Sequence, residues 1–289
     1  MTIIRFLQSF ASPFWDGFFE AATMLGEEYF YLFALALVFW CVDKRYGYKL
    51  SLALLFSGVV NGVVKSIVRA PRPIGTEGIR SLRVETATGS SFPSGHTQNV
   101  TTFFVSVMKK LRRPWMYLTG GLLILLVAIS RLYLGVHWPR DVLGGMAFGA
   151  ASVFVADFAF ERFERLKWGR LPWLNLTLLV PTIAAAYVWR DAADLVKVAG
   201  TFCGFLMGFS FETVFVRFSA KAPLWKQAAK FALGIVVTLA LKEGLKRLFP
   251  QEAAFDLLRY AVIGVWITVG APLSFIALRL TPRLPAEGA

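Results

Sequence analysis

The sequence predicts an all-α fold, a polytopic transmembrane helical bundle, and three observations lead to this prediction. Hydrophobic residues make up 56% of the 289 residues and charged residues 17%, whereas a soluble domain is about 45–50% apolar and about 25% charged. The mean hydropathy is +0.58. The stretches 171–189 and 260–278 each carry no charged residue over 19 positions, which lets a helix cross about 30 Å of hydrocarbon.

Seven shorter uncharged runs complete about nine predicted spans. Each has between 11 and 17 residues, and they are 29–42, 50–64, 97–108, 114–130, 142–156, 198–211 and 231–241. The N-terminal stretch 7–25 differs, because Gln8, Asp16 and Glu20 interrupt its aromatic-rich pattern and leave no apolar core of the signal-peptide kind. It predicts an amphipathic helix lying in the membrane interface, with a polar transmembrane helix as the alternative.

The basic residues fall mainly into alternate loops of the predicted bundle. The net charge is +13, and clusters at 44–49, 109–113, 162–170, 217–226 and 279–283 share one side. The positive-inside rule assigns that side to the cytoplasm, which leaves the long loop 70–93 and the segment around His137 on the outer side. The basic residues form no continuous face, so they do not indicate a nucleic-acid partner.

The unusual polar residues all lie between Lys65 and Asp141. We therefore place a boundary near residue 165, between a catalytic core with its N-terminal amphipathic helix (1–165) and a C-terminal transmembrane extension of unknown role (166–289). In the extension, Gly200, Gly204 and Gly208 recur every four residues, the spacing of closely packed membrane helices. Packing within the chain is the favoured interpretation, and a homodimer surface is the alternative.

The first polar motif contains Lys65 and Arg72. Lys65 follows fifteen uncharged residues, and a charge near the end of a span is costly and usually has a partner or a function. Pro71 and Pro73 are expected to end the helix before strict helical geometry reaches Arg72. For this motif alone, a phosphate clamp and simple snorkelling to the headgroups are equally good explanations.

The second motif is Pro93-Ser94-Gly95-His96, directly before a predicted span. Ser94 is a natural N-cap, and a helix N-terminus opened by Gly95 presents backbone N–H groups to an anion. Taken alone, this motif is better explained by a capped helix with an interfacial histidine.

The third motif is the most informative, because its residues have the order of an oriented nucleophile. Arg131 ends a 17-residue uncharged run, His137 follows six residues later, and Asp141 comes four residues beyond His137. Pro139 favours the first turn of a new helix, so Asp141 is expected to accept the imidazole N–H. A carboxylate there fixes the tautomer and leaves the other ring nitrogen as a nucleophile. The structural alternative is a His–Asp helix cap.

Together the motifs predict phosphoryl transfer through a phosphohistidine. Arginine and lysine clamp phosphate, and a second imidazole can protonate a leaving oxygen. The candidate catalytic residues are His137, His96 and Asp141, and the candidate phosphate-binding residues are Lys65, Arg72, Ser94, Gly95 and Arg131. The sequence shows no Cys, His and carboxylate cluster with metal-ligand spacing, so no metal or other cofactor is expected.

The three motifs resemble the signatures of the type 2 phosphatidic acid phosphatase (PAP2) family, in the superfamily that also contains vanadium haloperoxidases and glucose-6-phosphatase. Those signatures are Lys-x6-Arg-Pro, Pro-Ser-Gly-His and Ser-Arg-x5-His-x3-Asp, and the chain matches them in order at 65–73, 93–96 and 130–141. The resemblance covers roughly residues 30–160. The remaining C-terminal residues are similar to an extension found in a subset of bacterial relatives.

The resemblance implies that His137 attacks phosphorus with support from Asp141, and that His96 protonates the leaving alkoxide and then helps to activate water. It also implies that the five candidate phosphate-binding residues hold the phosphate. Membrane relatives are metal-independent lipid phosphatases with the site on the outer face, so a bacterial cell membrane enzyme facing the extracytoplasmic side is expected. The expected substrate is a lipid phosphate: polyprenyl diphosphate, phosphatidic acid or phosphatidylglycerol phosphate.

Two alternative functions stay open at the level of sequence. A lipid phosphotransferase would use the same phosphohistidine with an acceptor other than water. A phospholipid transporter or flippase would use the phosphate site for binding only, and Lys197, Glu212 and Lys230 within the extension are the intramembrane charges that such a pathway uses.

Overall fold

The computed structural model describes residues 2–167 and 172–285, and most of these residues are helical. The helices, in chain order, are α1 (Ile3–Gln8), α2 (Pro13–Thr23), α3 (Glu28–Leu37), α4 (Lys44–Val68), α5 (Gly95–Leu111), α6 (Pro114–Tyr133), α7 (Pro139–Arg165), α8 (Leu176–Val188), α9 (Ala193–Phe211), α10 (Leu224–Leu248), α11 (Ala253–Val265) and α12 (Ala271–Ala277). Within the described residues, β-structure is limited to one isolated bridge between Phe218 and Arg283. The all-α prediction is confirmed.

The chain forms two compact units. The first unit comprises Met1–Phe30 and Phe56–Val155, and the second comprises Tyr31–Leu55 and Ala156–Ala289. The long helices α4 and α7 each contribute residues to both units. The boundary predicted near residue 165 stays a prediction.

Within the described ranges, five helices are long and apolar enough to cross a membrane, so the chain is an integral membrane protein. They are α4, α6, α7, α9 with the π-turn that follows it, and α11 continued into α12. A sixth span results if Pro13–Gly26 and Glu28–Val42, bent by 50°, count as one. Whether the N-terminal stretch lies on the membrane or spans it stays a prediction.

The predicted count of about nine spans is not confirmed, for reasons of length and polarity. Helix α5 has only 17 residues and buries a polar face that includes Gln98 and Thr102. Helix α10 has 25 residues but ends in Lys246 and Arg247. The run predicted at 171–189 begins at Leu171, outside the described residues, and its apolar helix, Trp173–Val188, is short.

In the first unit, α5 packs closely against α7 because α7 has glycines at the contact. A Cβ at Gly145 would lie 2.7 Å from the Ser94 carbonyl oxygen, and one at Gly149 would lie 2.6 Å from the Gln98 carbonyl oxygen. The Ser94 amide donates to the Asp141 carbonyl at 2.9 Å. The beginnings of the two helices are therefore held together, and these beginnings carry the second and third motifs.

The N-terminal helices and the loop 70–93 pack against the end of α6. Ile4 is buried with Ala128, Leu132 and Val142, and Gln8 donates through Nε2 to the carbonyls of Arg80 and Tyr133 at 2.7 Å. The Arg80 guanidinium binds both carboxylate oxygens of Asp16, at 2.8 and 2.6 Å. The N-terminal helices thus belong to the same compact unit as the motifs.

In the second unit, the glycine stripe of α9 faces α11. A Cβ at Gly200 would overlap the Leu257 carbonyl, one at Gly204 the Ala261 carbonyl, and one at Gly208 the Thr268 side chain. These glycines therefore serve packing within the chain, as the favoured interpretation predicts.

Two buried charges of the second unit have local partners. Glu212 accepts from Lys44 at 2.9 Å and from the Tyr48 hydroxyl at 2.7 Å. Lys230 donates to the carbonyls of Trp40 and Ala220 at 2.8 and 2.9 Å. Both charges thus have a structural role, which removes two of the three residues that kept a transport pathway open.

Candidate active site

The turn between α6 and α7 carries the nucleophile candidate. Gly135 adopts a left-handed conformation, with φ of +64°, and the backbone there passes so close to the Arg80 carbonyl that a Cβ would overlap it. His137 follows, 2% exposed, and α7 begins at Pro139 as predicted. The imidazole Nδ1 lies 3.5 Å from Oδ2 of the fully buried Asp141.

A buried serine fixes the carboxylate of Asp141. The Ser91 hydroxyl donates to Oδ2 of Asp141 at 2.5 Å and lies 3.4 Å from Nδ1 of His137. The Trp138 amide donates to the same Oδ2 at 2.7 Å. Asp141 therefore orients the imidazole as one member of a shared network rather than through a single short bond.

Arg72 lies on the opposite edge of the imidazole. Its Nη1 is 3.1 Å from Nε2 of His137. A guanidinium has only donors, so this contact requires a lone pair on Nε2 and assigns the proton to Nδ1, beside Asp141 and Ser91. The ring nitrogen that carries the lone pair is thus the one beside a cation.

Backbone carbonyls of the loop 70–93 hold Arg72 and Lys65 in place. Helix α4 ends at Val68 and Arg69 is left-handed, with φ of +49°, so Arg72 lies beyond the helix, as its prolines predict. Arg72 donates to the Thr88 carbonyl at 2.6 Å and to the Val136 carbonyl at 2.9 Å. Lys65 donates to the same Thr88 carbonyl at 3.3 Å. The two cations of the first motif therefore converge on one peptide group.

The Pro-Ser-Gly-His motif begins α5, as the sequence predicts. Ser94 is the N-cap, and its hydroxyl accepts from the Thr97 amide at 3.5 Å and from the Thr97 hydroxyl at 3.0 Å. Gly95 opens the helix, with 3.5 Å between the position of a Cβ and the Asn61 side-chain oxygen. The first turn of α5 therefore directs its backbone N–H groups toward the end of the bundle that carries His137.

Three candidate side chains of the site contain buried polar atoms without a hydrogen bond to any described residue. These atoms are Nε2 of His96, Nε and Nη2 of Arg131, and Oδ1 of Asp141. Arg131 is fully buried, and its remaining nitrogen, Nη1, donates to the Thr23 hydroxyl at 2.9 Å. Buried polar atoms almost always have partners in folded proteins, so the unbonded nitrogens of Arg131 and His96 are suited to bind an anion.

The electrostatic environment favours neutral imidazoles in the free site. Burial lowers the pKa of His96 well below its usual value, and the positive charges of Arg131, Lys65 and Arg83 lower it further. Burial also lowers the pKa of His137 despite its hydrogen bond to the Asp141 carboxylate, and the positive charges of Arg131 and Arg72 lower it further. A concentration of positive charge around two neutral imidazoles is suited to a phosphate dianion.

The structure thus brings all eight candidate residues to one end of the first unit. It adds three residues that sequence reasoning misses: Ser91 beside Asp141, Thr23 beside Arg131, and Arg83, which lies 2.7 Å from Glu27. Ser91 lies three residues before Ser94, so its position next to the second motif is a usable signal. Thr23 gives no such signal, because 108 positions separate it from Arg131.

Two protein families match separate parts of the chain. Residues 46–165 match the PAP2 superfamily, and residues 196–283 match the transmembrane extension of PAP2 superfamily phosphatases. A probable sphingosine-1-phosphate phosphatase of Dictyostelium discoideum is 28% identical over 174 residues, 56% of this chain and 42% of the relative. The chain therefore spans less than half the length of that protein.

Two further similarities concern an archaeal and a bacterial protein. An undecaprenyl-diphosphatase of Sulfolobus acidocaldarius is 31% identical over 144 residues, 49% of this chain and 68% of the relative. The crystal structure of a transmembrane PAP2-type phosphatidylglycerolphosphate phosphatase from Bacillus subtilis is 27% identical, with a TM-score of 0.47, and covers 55% of this chain and 83% of that one.

Proposed function

The chain belongs to the PAP2 superfamily, and on that premise we propose that it is a membrane lipid phosphatase that works through a phosphohistidine on His137. The observation that carries the proposal is the environment of His137. Its Nδ1 lies against Asp141 and Ser91, and its Nε2 lies 3.1 Å from the guanidinium of Arg72. The lone pair on Nε2 is the nucleophile, and the cation next to it attracts the phosphate.

In the first step, Nε2 of His137 forms a bond to phosphorus while the bond between phosphorus and the lipid oxygen breaks. Positive charge develops on the imidazole, and Asp141 stabilises it through the Nδ1–H. Arg72 donates its Nη1–H to a phosphate oxygen in place of Nε2, which releases the lone pair. The Ser91 hydroxyl, 2.5 Å from Oδ2, keeps the carboxylate in position throughout.

His96 supplies the proton that the leaving lipid oxygen takes up. In the free site its pKa is low because of burial and neighbouring cations. A bound phosphate dianion offsets those cations and raises the pKa of His96, so the imidazole is protonated when substrate is present. After the lipid alcohol leaves, the neutral His96 accepts a proton from water, which attacks phosphorus and releases inorganic phosphate and His137.

The phosphate oxygens are held by Lys65, Arg72, Arg131, the Ser94 cap and the Gly95 amide. Arg131 supports this role most directly, because Nε and Nη2 are the two parallel donors of one guanidinium edge and neither has a protein partner among the described residues. Such an edge binds two oxygens of a phosphate. The residues of the chain itself supply the positive charge, so we expect hydrolysis to proceed without added divalent metal.

A lipid phosphate or diphosphate is the proposed substrate class, with polyprenyl diphosphate, phosphatidic acid and phosphatidylglycerol phosphate as candidates. The span-length apolar helices support an amphiphilic substrate. The charge distribution supports a site on the extracytoplasmic side of a cell membrane. Lys109 and Lys110 end α5 and Arg112 and Arg113 follow, whereas the site lies where α5 begins.

The test is phosphate release by purified protein from these three lipids, with EDTA present. We expect wild-type protein to release phosphate from at least one lipid and His137→Ala protein to be about 10³-fold slower or worse. His96→Ala protein should accumulate an acid-labile phosphoenzyme if a good leaving group replaces the lipid. Equal phosphate release by wild-type and His137→Ala protein would refute the mechanism. Added alcohol acceptors distinguish hydrolysis from phosphotransfer by their products.

A further inference from the structure

We propose that the turn from Thr23 to Glu27 is part of the phosphate site, and that Thr23 is a positioning residue for Arg131. This inference rests on the proposed function. It also extends the site beyond residues 46–165, the part of the chain that matches the PAP2 superfamily.

The contact between Thr23 and Arg131 is buried and directional. Both residues are fully buried, and Nη1 of Arg131 donates to the Thr23 hydroxyl at 2.9 Å. A second hydroxyl, that of Thr86, lies 3.5 Å from the same Nη1. Nη1 belongs to the edge of the guanidinium opposite the Nε and Nη2 pair. Because the group is planar, holding Nη1 at Thr23 sets the direction in which the other two donors point.

The same turn also supports His96. A Cβ at Gly26 would lie 2.7 Å from Cβ of His96 and 2.9 Å from its Cδ2. Only glycine allows the backbone of the turn to lie this close to the imidazole. The turn therefore contacts both His96 and Arg131, whose side chains have buried nitrogens without a hydrogen bond to a described residue.

Arg83 ties the turn to the loop 70–93. Its Nη2 lies 2.7 Å from the Glu27 carboxylate, and its Nη1 donates to the Glu20 carbonyl at 3.1 Å. These contacts on either side of the turn fix its position. The N-terminal helices thus support both the phosphate clamp and the general acid.

The experiment compares Thr23→Val with Thr23→Ser, and measures binding of inorganic phosphate by the upward shift of the melting temperature in detergent. Valine keeps the shape and removes the acceptor, so we expect the Kd for phosphate and the KM for lipid to rise about tenfold, while kcat changes less than about threefold. Serine keeps the hydroxyl and should restore both constants to within about twofold. Thr238→Val, which removes a buried hydroxyl in the second unit, is the control and should leave phosphate binding unchanged.

A folded Thr23→Val protein that binds phosphate as tightly as the wild type would overturn the proposal. So would a fall in kcat at unchanged Kd and KM, because that pattern indicates a general structural defect. If Thr23→Val protein does not fold, Thr23→Ala takes its place in the same comparison. The binding measurement needs no turnover. Wild-type protein that binds phosphate but hydrolyses no lipid would therefore contradict the proposed function and leave the role of Thr23 to be judged by binding.

Discussion

Three buried ionisable side chains, Glu212 and Lys230 in the second unit and Arg131 in the first, differ in how completely they are hydrogen-bonded. In the second unit, Glu212 accepts from Lys44, Tyr48 and the Phe218 amide, and Lys230 donates to two carbonyls. In the first unit, the equally buried Arg131 leaves two of its three nitrogens without a hydrogen bond to any described residue. A satisfied buried network holds a fold together, whereas an unsatisfied one needs a ligand. Burial thus serves structure at Glu212 and Lys230, whereas at Arg131 it serves binding under the proposed function.

Replacing Arg131 is expected to have the largest effect on activity. Arg131→Met should lower kcat/KM by about 10²- to 10³-fold, because it removes a preorganised pair of donors to the phosphate. It should not lower the melting temperature, because a buried charge with unbonded donors is replaced by an apolar side chain. Steady-state kinetics and thermal unfolding of the same preparation check both parts. A marked loss of stability with little loss of activity would show that Arg131 has a structural role, like Glu212, and no role in binding phosphate.

Replacing Glu212 should lower stability and leave activity unchanged. Glu212→Ala leaves Lys44, the Tyr48 hydroxyl and the Phe218 amide without their acceptor, and should cost about 3–5 kcal/mol in the free energy of unfolding. The kcat per folded molecule should stay unchanged.

Denaturation in detergent measures this stability, and the control is Glu164→Gln in the same unit. Glu164 pairs with Arg45 at an exposed position, with side chains 46% and 60% exposed, where an ion pair contributes about 1 kcal/mol or less. Equal destabilisation by the two variants would show that burial is not the reason for the importance of Glu212.

Removing the Ser91 hydroxyl tests whether a hydrogen-bonded network within the first unit also serves activity. Ser91→Ala deletes the 2.5 Å hydrogen bond to Asp141, so the carboxylate holds the His137 tautomer less firmly. We expect kcat to fall about tenfold, at an almost unchanged KM. The neighbouring Ser90→Ala removes only a 3.4 Å contact to the Ala70 carbonyl and serves as the control. A change confined to KM would argue against this role.

The smallest expected effect is a loss of stability in acid that depends on the two histidines. Their pKa values are lower in the folded state because of burial and neighbouring cations, whereas an unfolded histidine has a pKa of about 6.5. Below that pH the unfolded state takes up protons that the folded state does not. Stability is therefore present above pH 6.5 and is lost as the pH falls.

Melting temperatures between pH 7.5 and 5.5 check this, with His96→Gln for comparison. The variant should show a shallower decline than the wild type. Saturating phosphate should also flatten the wild-type profile, because a bound anion raises the pKa of His96. Identical slopes for wild type and variant would rule out His96 as a contributor.

The sequence predicts the motif geometry well because each motif is local. The Ser94 cap, the end of α4 before Arg72, and the beginning of α7 at Pro139 follow from capping and proline chemistry. The predicted number of spans is not confirmed, because hydropathy does not separate lipid-facing positions from the buried polar face of α5. The sequence does not predict Thr23, Ser91 and Arg83, because their roles depend on contacts across the fold. These contacts join residues as far apart as Thr23 and Arg131.

The close contact between α5 and α7 has a consequence for the evolution of the site. At Gly145 and Gly149 the helices approach so closely that a single methyl group would push Ser94 and His96 away from His137 and Asp141. The separation between acid and nucleophile is therefore set by the absence of side chains at two glycines, in a helix contact lined by Thr97, Gln98 and Thr101. Evolution can therefore change the distance between His96 and His137 through the size of the side chains at these two positions. The charged residues of the site need not change.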